Sequence, residues 1–288
     1  MNSFVISRTG TYLTVQDFGR FSYQHLGISP SGAMDHRILI ALESIINHHG
    51  NQFLEFAYVG PSLKITQGAI KVCVGGECKI FVQKQNNTQI EHKPYTSINL
   101  FEGDELNIHN TIDSVYGYIA FENGLGLKPC LDSYATDTKS QIGSIPRPLQ
   151  IGDSFHIKEK VRSWDLAFND EINIEKQFDF KVFAGPQINF FSDETIQQFA
   201  STPYTITSQS DRMGLRLKGE PVISQRSHDI LSEGILPGCI QIPSNGQPIV
   251  LLRDIPCTGG YPKIALLASD DVSKIAQLPP GSSVTFRF

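Results

Sequence analysis

One small pattern constrains this chain more than any other. A glycine turn runs straight into an alternating strand at Glu102-Gly103-Asp104-Glu105-Leu106-Asn107-Ile108. It recurs at Ile151-Gly152-Asp153-Ser154-Phe155-His156-Ile157 and, less faithfully, at Pro280-Gly281-Ser282-Ser283-Val284-Thr285-Phe286. A tight turn at glycine followed by a strand with one buried face belongs to an antiparallel β fold. Two copies sit where a β-rich half would close, after Gln150 and at the C-terminus. Two halves follow, 1–160 and 178–288, joined by the polar stretch Lys158 to Gln177, which carries the single tryptophan, Trp164. A length of 288 residues suits one large or two medium domains, and 40% hydrophobic content supplies a core.

The rest of the pattern agrees. Strands are predicted at Ser3 to Arg8 and Thr11 to Gln16, with a hairpin-like break at Thr9-Gly10. Met34, Ile38, Ala41, Leu42, Ile45 and Ile46 recur at helical spacing, with Asp35 at the start and His48-His49-Gly50 at the end. Short strands follow at Phe53 to Phe56, Ser62 to Thr66, Ala69 to Gly75, Lys79 to Gln83 and Thr96 to Leu100. The second half opens with Phe180 to Ala184. A short helix then starts at the N-cap Ser192 and ends before Pro203. Strands are expected at Arg216 to Leu217, Cys239 to Ile242 and Ile249 to Leu252, and a last helix from Ser269-Asp270-Asp271 to before Pro279-Pro280. The fold class is mainly β with a few short helices, a sandwich or barrel rather than alternating β/α units.

A net charge of −5 and the lack of any Lys/Arg run argue against nucleic-acid or membrane-surface partners. No apolar run nears the roughly 20 residues of a spanning helix, and no basic-then-apolar signal opens the chain. The five cysteines are scattered and odd in number, so the expectation is a cytoplasmic protein with free thiols. Cys73 and Cys78 have no second pair nearby, so no metal site is expected. Gly124-Leu125-Gly126 lacks the third glycine of a dinucleotide fingerprint, and neither a phosphate loop nor a Gly-x-Ser-x-Gly elbow occurs.

Three clusters carry chemistry-bearing residues. The first runs from Gln16 to Asp35 and holds Asp17, Arg20, Gln24, His25 and Asp35 among three glycines. Polar residues on such a loop suit presentation to a ligand, and turn-making explains many of them equally well. The second is Ser208-Gln209-Ser210-Asp211-Arg212-Met213-Gly214, where an arginine fork and backbone amides suit an anion. A turn with its own local ion pair is the alternative. The third runs from Glu233-Gly234 through Gln241 and Arg253-Asp254 to Thr258-Gly259-Gly260-Tyr261-Pro262-Lys263. Adjacent glycines admit close backbone approach, and Lys263 supplies charge to a carboxylate or phosphate.

Taken in order, these segments resemble the biotin-dependent carboxyltransferase / allophanate hydrolase subunit 2 family. The matching runs include Thr14-Val15-Gln16-Asp17-Phe18-Gly19-Arg20, Gln24-His25-Leu26-Gly27, Pro30-Ser31-Gly32-Ala33-Met34-Asp35 and Leu54-Glu55. They continue with Ser133-Tyr134-Ala135-Thr136-Asp137, Ala184-Gly185-Pro186-Gln187, the Ser208 to Gly214 run and Thr258 to Ile264, across nearly the whole chain. Ser22 departs from the family at a position where glycine is common, and the loop Gly143 to Arg147 is short. The resemblance implies two cyclophilin-like β-barrel halves. It implies ATP-dependent opening of the 5-oxoproline lactam to glutamate, in a 5-oxoprolinase of three components. ATP is then shared with two partners, a kinase-inhibitor-like B component and the oxoprolinase A component. Asp17, Arg20, His25, Asp35, Glu55, Asp211, Arg212 and Lys263 are then the candidate catalytic residues. Gln24, Ser210, Glu233, Gln241, Thr258, Gly259, Gly260 and Tyr261 are the candidate binding residues. Carboxyl transfer from a separately biotinylated carrier, or regulatory binding of a kinase-inhibitor-like partner, are the alternatives. No methionine flanks a lysine, so no covalent biotin is expected on this chain.

Overall fold

The computed structural model describes residues 2–46, 51–157 and 176–288. The expected helix end at His48-His49-Gly50 and the expected linker with Trp164 lie outside the described residues. The chain packs as two compact units: Met1–Arg20 with His36–Ile174, and Phe21–Asp35 with Glu175–Phe288. The polar run near the N-terminus is therefore divided between them at Arg20.

In the first unit, the strands are β1 (Asn2–Arg8), β2 (Leu13–Gln16), β3 (Phe53–Ala57), β4 (Ser62–Gln67), β5 (Ala69–Gly75) and β6 (Cys78–Gln83). After them come β7 (Gln89–His92), β8 (Ser97–Phe101), β9 (Glu105–Thr111), β10 (Tyr116–Phe121) and β11 (Ser154–Ile157). One sheet has the order β11-β1-β4-β9-β6-β7, the other β2-β3-β10-β5-β8. Both feed one core, with Phe4, Ile6, Leu63 and Leu106 from the first sheet meeting Val15, Leu54, Val72 and Ile119 from the second. Full burial of such side chains stabilises by about 1.5–3 kcal/mol each.

The hairpin expected at Thr9-Gly10 does not form. β1 pairs with β4 and β11, whereas β2 pairs with β3, so the break sends the chain from one sheet to the other. Gly10 makes that crossing possible. Its φ is 71°, and a Cβ there would meet the Val59 carbonyl oxygen at 1.9 Å. Helix α1 (His36–Ile46) buries Ile38, Leu39, Leu42 and Ile46. Ile38 and Leu42 lie over Gly75 of β5.

The three recurring turns share one geometry. Gly103, Gly152 and Gly281 have φ of 88°, 94° and 92°. In each, the residue after the glycine donates its N–H three positions back: Asp104 to Phe101, Asp153 to Gln150, Ser282 to Pro279. The aspartates of the first two copies also accept the Phe101 and Gln150 amides, at 2.9 and 2.8 Å. Those side-chain bonds reinforce the turn as an Asx motif does.

The second unit has strands β12 (Asp179–Ala184), β13 (Tyr204–Ile206), β14 (Gly214–Lys218), β15 (Glu233–Gly234), β16 (Cys239–Gln241), β17 (Ile249–Leu251), β18 (Thr258–Gly259), β19 (Lys263–Leu267) and β20 (Ser283–Arg287). A closed barrel runs β12-β19-β16-β17-β14-β13-β20, and β20 returns to β12 in parallel. β15 and β18 form a separate two-stranded ribbon. Helix α2 (Asp193–Ser201) starts as expected at Ser192, whose hydroxyl accepts the Thr195 amide. Its Phe199 stacks on Phe286 of β20, ring centroids 5.3 Å apart. Helix α3 (Ser269–Ala276) follows β19.

Candidate functional site

The first-unit candidates Asp17, Arg20 and Glu55 are held within their own unit. Asp17 accepts the Ser133 hydroxyl at 2.8 Å, the Tyr134 amide at 2.6 Å and the Gly19 amide at 2.8 Å. Arg20 is 1% exposed; its Nη2 donates to the Ala135 carbonyl at 2.8 Å and its Nε to the Cys130 carbonyl at 3.2 Å. Together they tie the 130–135 segment to the end of β2. Glu55 is fully buried on β3, between Thr14 of β2 and Tyr118 of β10.

The remainder of the run belongs to the second unit. Gln24 and His25 sit on a single helical turn, and His25 is exposed. Ser22 has φ 72°, a left-handed conformation that explains why a glycine suits that position. Asp35 is fully buried and accepts Gln277 Nε2 at 3.3 Å. Further along, the loop is fastened to the barrel unit. Ser31 donates its hydroxyl to Asp254 Oδ1 at 2.8 Å, and Arg212 Nη2 donates to the Gly32 carbonyl at 2.7 Å.

Arg212 is not the open anion fork that the sequence suggests, nor does it pair with Asp211. Its Nε and Nη2 donate to the two oxygens of Asp254 at 2.7 and 3.0 Å, and both residues are 8% exposed. Asp211 instead accepts the Met213 and Gly214 amides, fixing the turn into β14. Ser210 accepts the Arg216 amide at 3.0 Å.

The third cluster is where an accessible cavity lies. A slot of about 240 Å3 is lined mostly by apolar groups, among them Met213, Ile235, Ile249 and Leu251, with Gln241, Gly259, Gly260 and Tyr261 and the charged Asp211 and Arg216 also in its wall. It is smaller than the roughly 300–1,000 Å3 typical of drug-sized ligands. Gln241 is 5% exposed, and its Nε2 has no hydrogen-bond partner. A buried donor left unpaired costs about 1–3 kcal/mol, which a bound acceptor would recover. Gly259 makes room for it, since a Cβ there would stand 2.7 Å from Gln241 Nε2.

Gln241 pairs in register with Lys263 across β16 and β19. The Lys263 side chain is 2% exposed, and its Nζ meets Glu233 Oε1 at 2.5 Å. Glu233 also accepts Gln187 Nε2 at 2.8 Å, while Gln187 Oε1 accepts the Lys263 amide at 3.1 Å. The Lys263 hydrogen bond first, and then that of Gln187, hold the Glu233 carboxyl below its ordinary range. The result is a buried ammonium whose counter-ion stands on a two-residue strand with its side chain 43% exposed. The structure thus brings together Asp211, Glu233, Gln241, Thr258, Gly259, Gly260, Tyr261 and Lys263. Gln187 and Asp254 lie within runs that mark the resemblance or the third cluster, but only the folded register gives them a task.

Cys73 and Cys78 are buried, and desolvation pushes both thiols up to about 12. Arg147, in the short loop, makes a two-pronged pair with Asp153 at 2.7 and 2.8 Å. Among the described residues, no helix is long and apolar enough to cross a membrane.

The barrel and the α1-covered double sheet have the fold of the matching part of urea amidolyase and urea carboxylase. The family "carboxyltransferase domain, subdomain A and B" matches residues 26–288, and the chain belongs to it. The chain is similar to the 5-oxoprolinase C subunit of Escherichia coli, 31% identical over 294 residues, covering 98% of this chain and 89% of that protein. It is similar also to the 5-oxoprolinase C subunit of Haemophilus influenzae, 32% identical, covering 95% of this chain and 87% of that protein. In fold it is similar to K. lactis urea amidolyase, with a TM-score of 0.87 and 24% identity over 99% of this chain and 18% of that one.

Proposed function

We propose that this chain is one component of an ATP-dependent 5-oxoprolinase, with the barrel slot as its lactam site. It acts in the cytoplasm with the kinase-inhibitor-like B component and the A component. The observation that carries this reading is the buried, unpaired Gln241 Nε2 in the wall of a small apolar slot, one register pair from the buried ammonium of Lys263. A lactam carbonyl in the slot accepts the Gln241 N–H, and the cyclic methylenes lie against Ile235, Ile249 and Leu251. Lys263 offsets negative charge as it develops on that oxygen, and fixed donors of this kind are worth far more in a dry site than in water. In the complex, ATP supplies the phosphoryl group that activates the lactam carbonyl carbon toward water; after water adds, the ring C–N bond breaks with the nitrogen leaving as the free amine, and hydrolysis of the resulting acyl phosphate releases glutamate and phosphate. The nucleotide is shared with the partner proteins. The similarity to proteins named as the C subunit of 5-oxoprolinase supports a role in a multi-component system.

Carboxyl transfer from biotin on a separate carrier is the second reading, favoured by the family itself. Mixing this chain with the purified B and A components, ATP and 5-oxoproline separates the two. Release of glutamate and ADP is the expected result. Silence with folded, assembled components, together with carboxylation of urea when a biotinylated carrier is supplied, overturns the first reading in favour of the second.

A further inference from the structure

A second cavity, of about 590 Å3, shares Arg216, Ile249 and Tyr261 with the slot. Its character is different. Arg216 and Lys218 line it, and no aspartate or glutamate does, in a chain of net charge −5. The burial pattern of β14 puts Leu215 and Leu217 inside the barrel and Arg216 and Lys218 outside, since alternate residues share a face. Among the described residues, neither cation takes part in a salt bridge. The Thr207 hydroxyl, also in the lining, is buried without a hydrogen-bond partner. Thr207 donates its amide to the Arg216 carbonyl at 2.9 Å, and Ser210 accepts the Arg216 amide, so the strand that carries the guanidinium is fixed from its backbone.

We propose that this groove is an oxyanion subsite continuous with the slot. It takes a carboxylate or phosphate through Arg216 and Lys218 while the uncharged amide end of the ligand lies against Gln241. The proposal rests on the slot being the amide site, and it names the ligand class: an amide that carries an anionic group. A guanidinium reads carboxylate and phosphate alike through paired N–H donors. Two sources share that chemistry, a carboxylate on the lactam itself and the phosphates of a nucleotide.

Titration calorimetry on the full chain with three probes tests this: 5-oxoproline, 2-pyrrolidinone as the lactam without a carboxylate, and inorganic triphosphate. Arg216→Gln is expected to weaken at least one charged probe by ~10-fold or more, and Lys218→Gln to weaken the same probe. 2-Pyrrolidinone is expected to bind all three proteins equally. Loss confined to 5-oxoproline assigns the groove to the substrate carboxylate, and loss confined to triphosphate assigns it to nucleotide phosphates. Triphosphate binding that depends on Arg216, with neither lactam bound, keeps the subsite and removes the lactam reading. Lactam binding unchanged by either substitution, with no Arg216-dependent triphosphate binding, overturns the subsite and leaves the lactam reading standing. Both side chains are exposed, so unchanged melting temperatures serve as the folding control.

Discussion

Asp254→Ala is the substitution whose cost is worked most directly from the structure. The Asp254 carboxylate receives Arg212 Nε at 2.7 Å, Arg212 Nη2 at 3.0 Å and the Ser31 hydroxyl at 2.8 Å. Both members of the pair are 8% exposed, so water does little to replace what is lost. Removing one partner of a buried ion pair costs about 3–5 kcal/mol, because the remaining charge stays buried. At about 2–4 °C per kcal/mol in a protein of this size, the melting transition should fall by roughly 6–20 °C. The loop Phe21–Asp35 should loosen with it, since Ser31, which holds φ 51°, loses its anchor. The assay is differential scanning calorimetry, with proteolysis after Arg20 as a local probe. The double substitution Arg212→Met with Asp254→Leu should recover most of the loss, because an apolar pair of similar volume leaves no buried charge. A melting temperature for Asp254→Ala within about 1–2 °C of wild type, a range set by the same scaling, refutes the buried-pair account. The same reasoning bars Arg212→Ala as a clean probe of catalysis.

Two further outcomes follow from the slot. Gly259→Ala places a methyl 2.7 Å from the Gln241 amide, the movable end of a side chain, so it should fold normally and lose lactam binding. Gly185→Ala instead puts its methyl 2.2 Å from the Lys263 carbonyl oxygen, which is backbone, and should destabilise the barrel; equal stability of the two variants would contradict this contrast. For Glu233, the folded carboxyl lies below its ordinary range because Lys263, then Gln187, bond to its ionised form. Its stabilisation is therefore fully present above the unfolded value of about 4.3 and is lost as pH falls through the depressed folded value. Wild type should exceed Glu233→Gln in stability at neutral pH, because the substitution leaves the buried Lys263 ammonium without its counter-ion, and the gap should narrow in acid as the Glu233 carboxyl takes up its proton. A gap that widens as pH falls would reverse the sign.

Local chemistry made much of the fold legible. The three glycine turns announce their strands because the left-handed φ and the Asp hydrogen bonds are both local. Ser192 announces α2 for the same reason. β10 went unseen because all six of its residues are buried, so no polar alternation marks it. The Thr9-Gly10 break was visible, but its consequence was not: whether two strands pair or part depends on Val59, far along the chain. The site divides in the same way. Glycines, Lys263 and Gln241 stand out by type, whereas the partner of Arg212 lies 42 positions away and only the barrel register supplies it. Asp17 and Arg20 drew notice as polar residues in a glycine-rich run. Their burial against carbonyls and amides of the 130–135 segment is tertiary and has no local signature.

The most direct test of the slot is the rate of glutamate and ADP release by the assembled complex when this chain carries Lys263→Met. Methionine keeps the volume of a buried side chain and removes its charge, and assembly is checked by size-exclusion chromatography. The expected result is an intact complex whose rate falls by ~100-fold or more, the scale for losing one group that stabilises charge in the transition state. An intact complex that turns over at the wild-type rate would place the chemistry elsewhere.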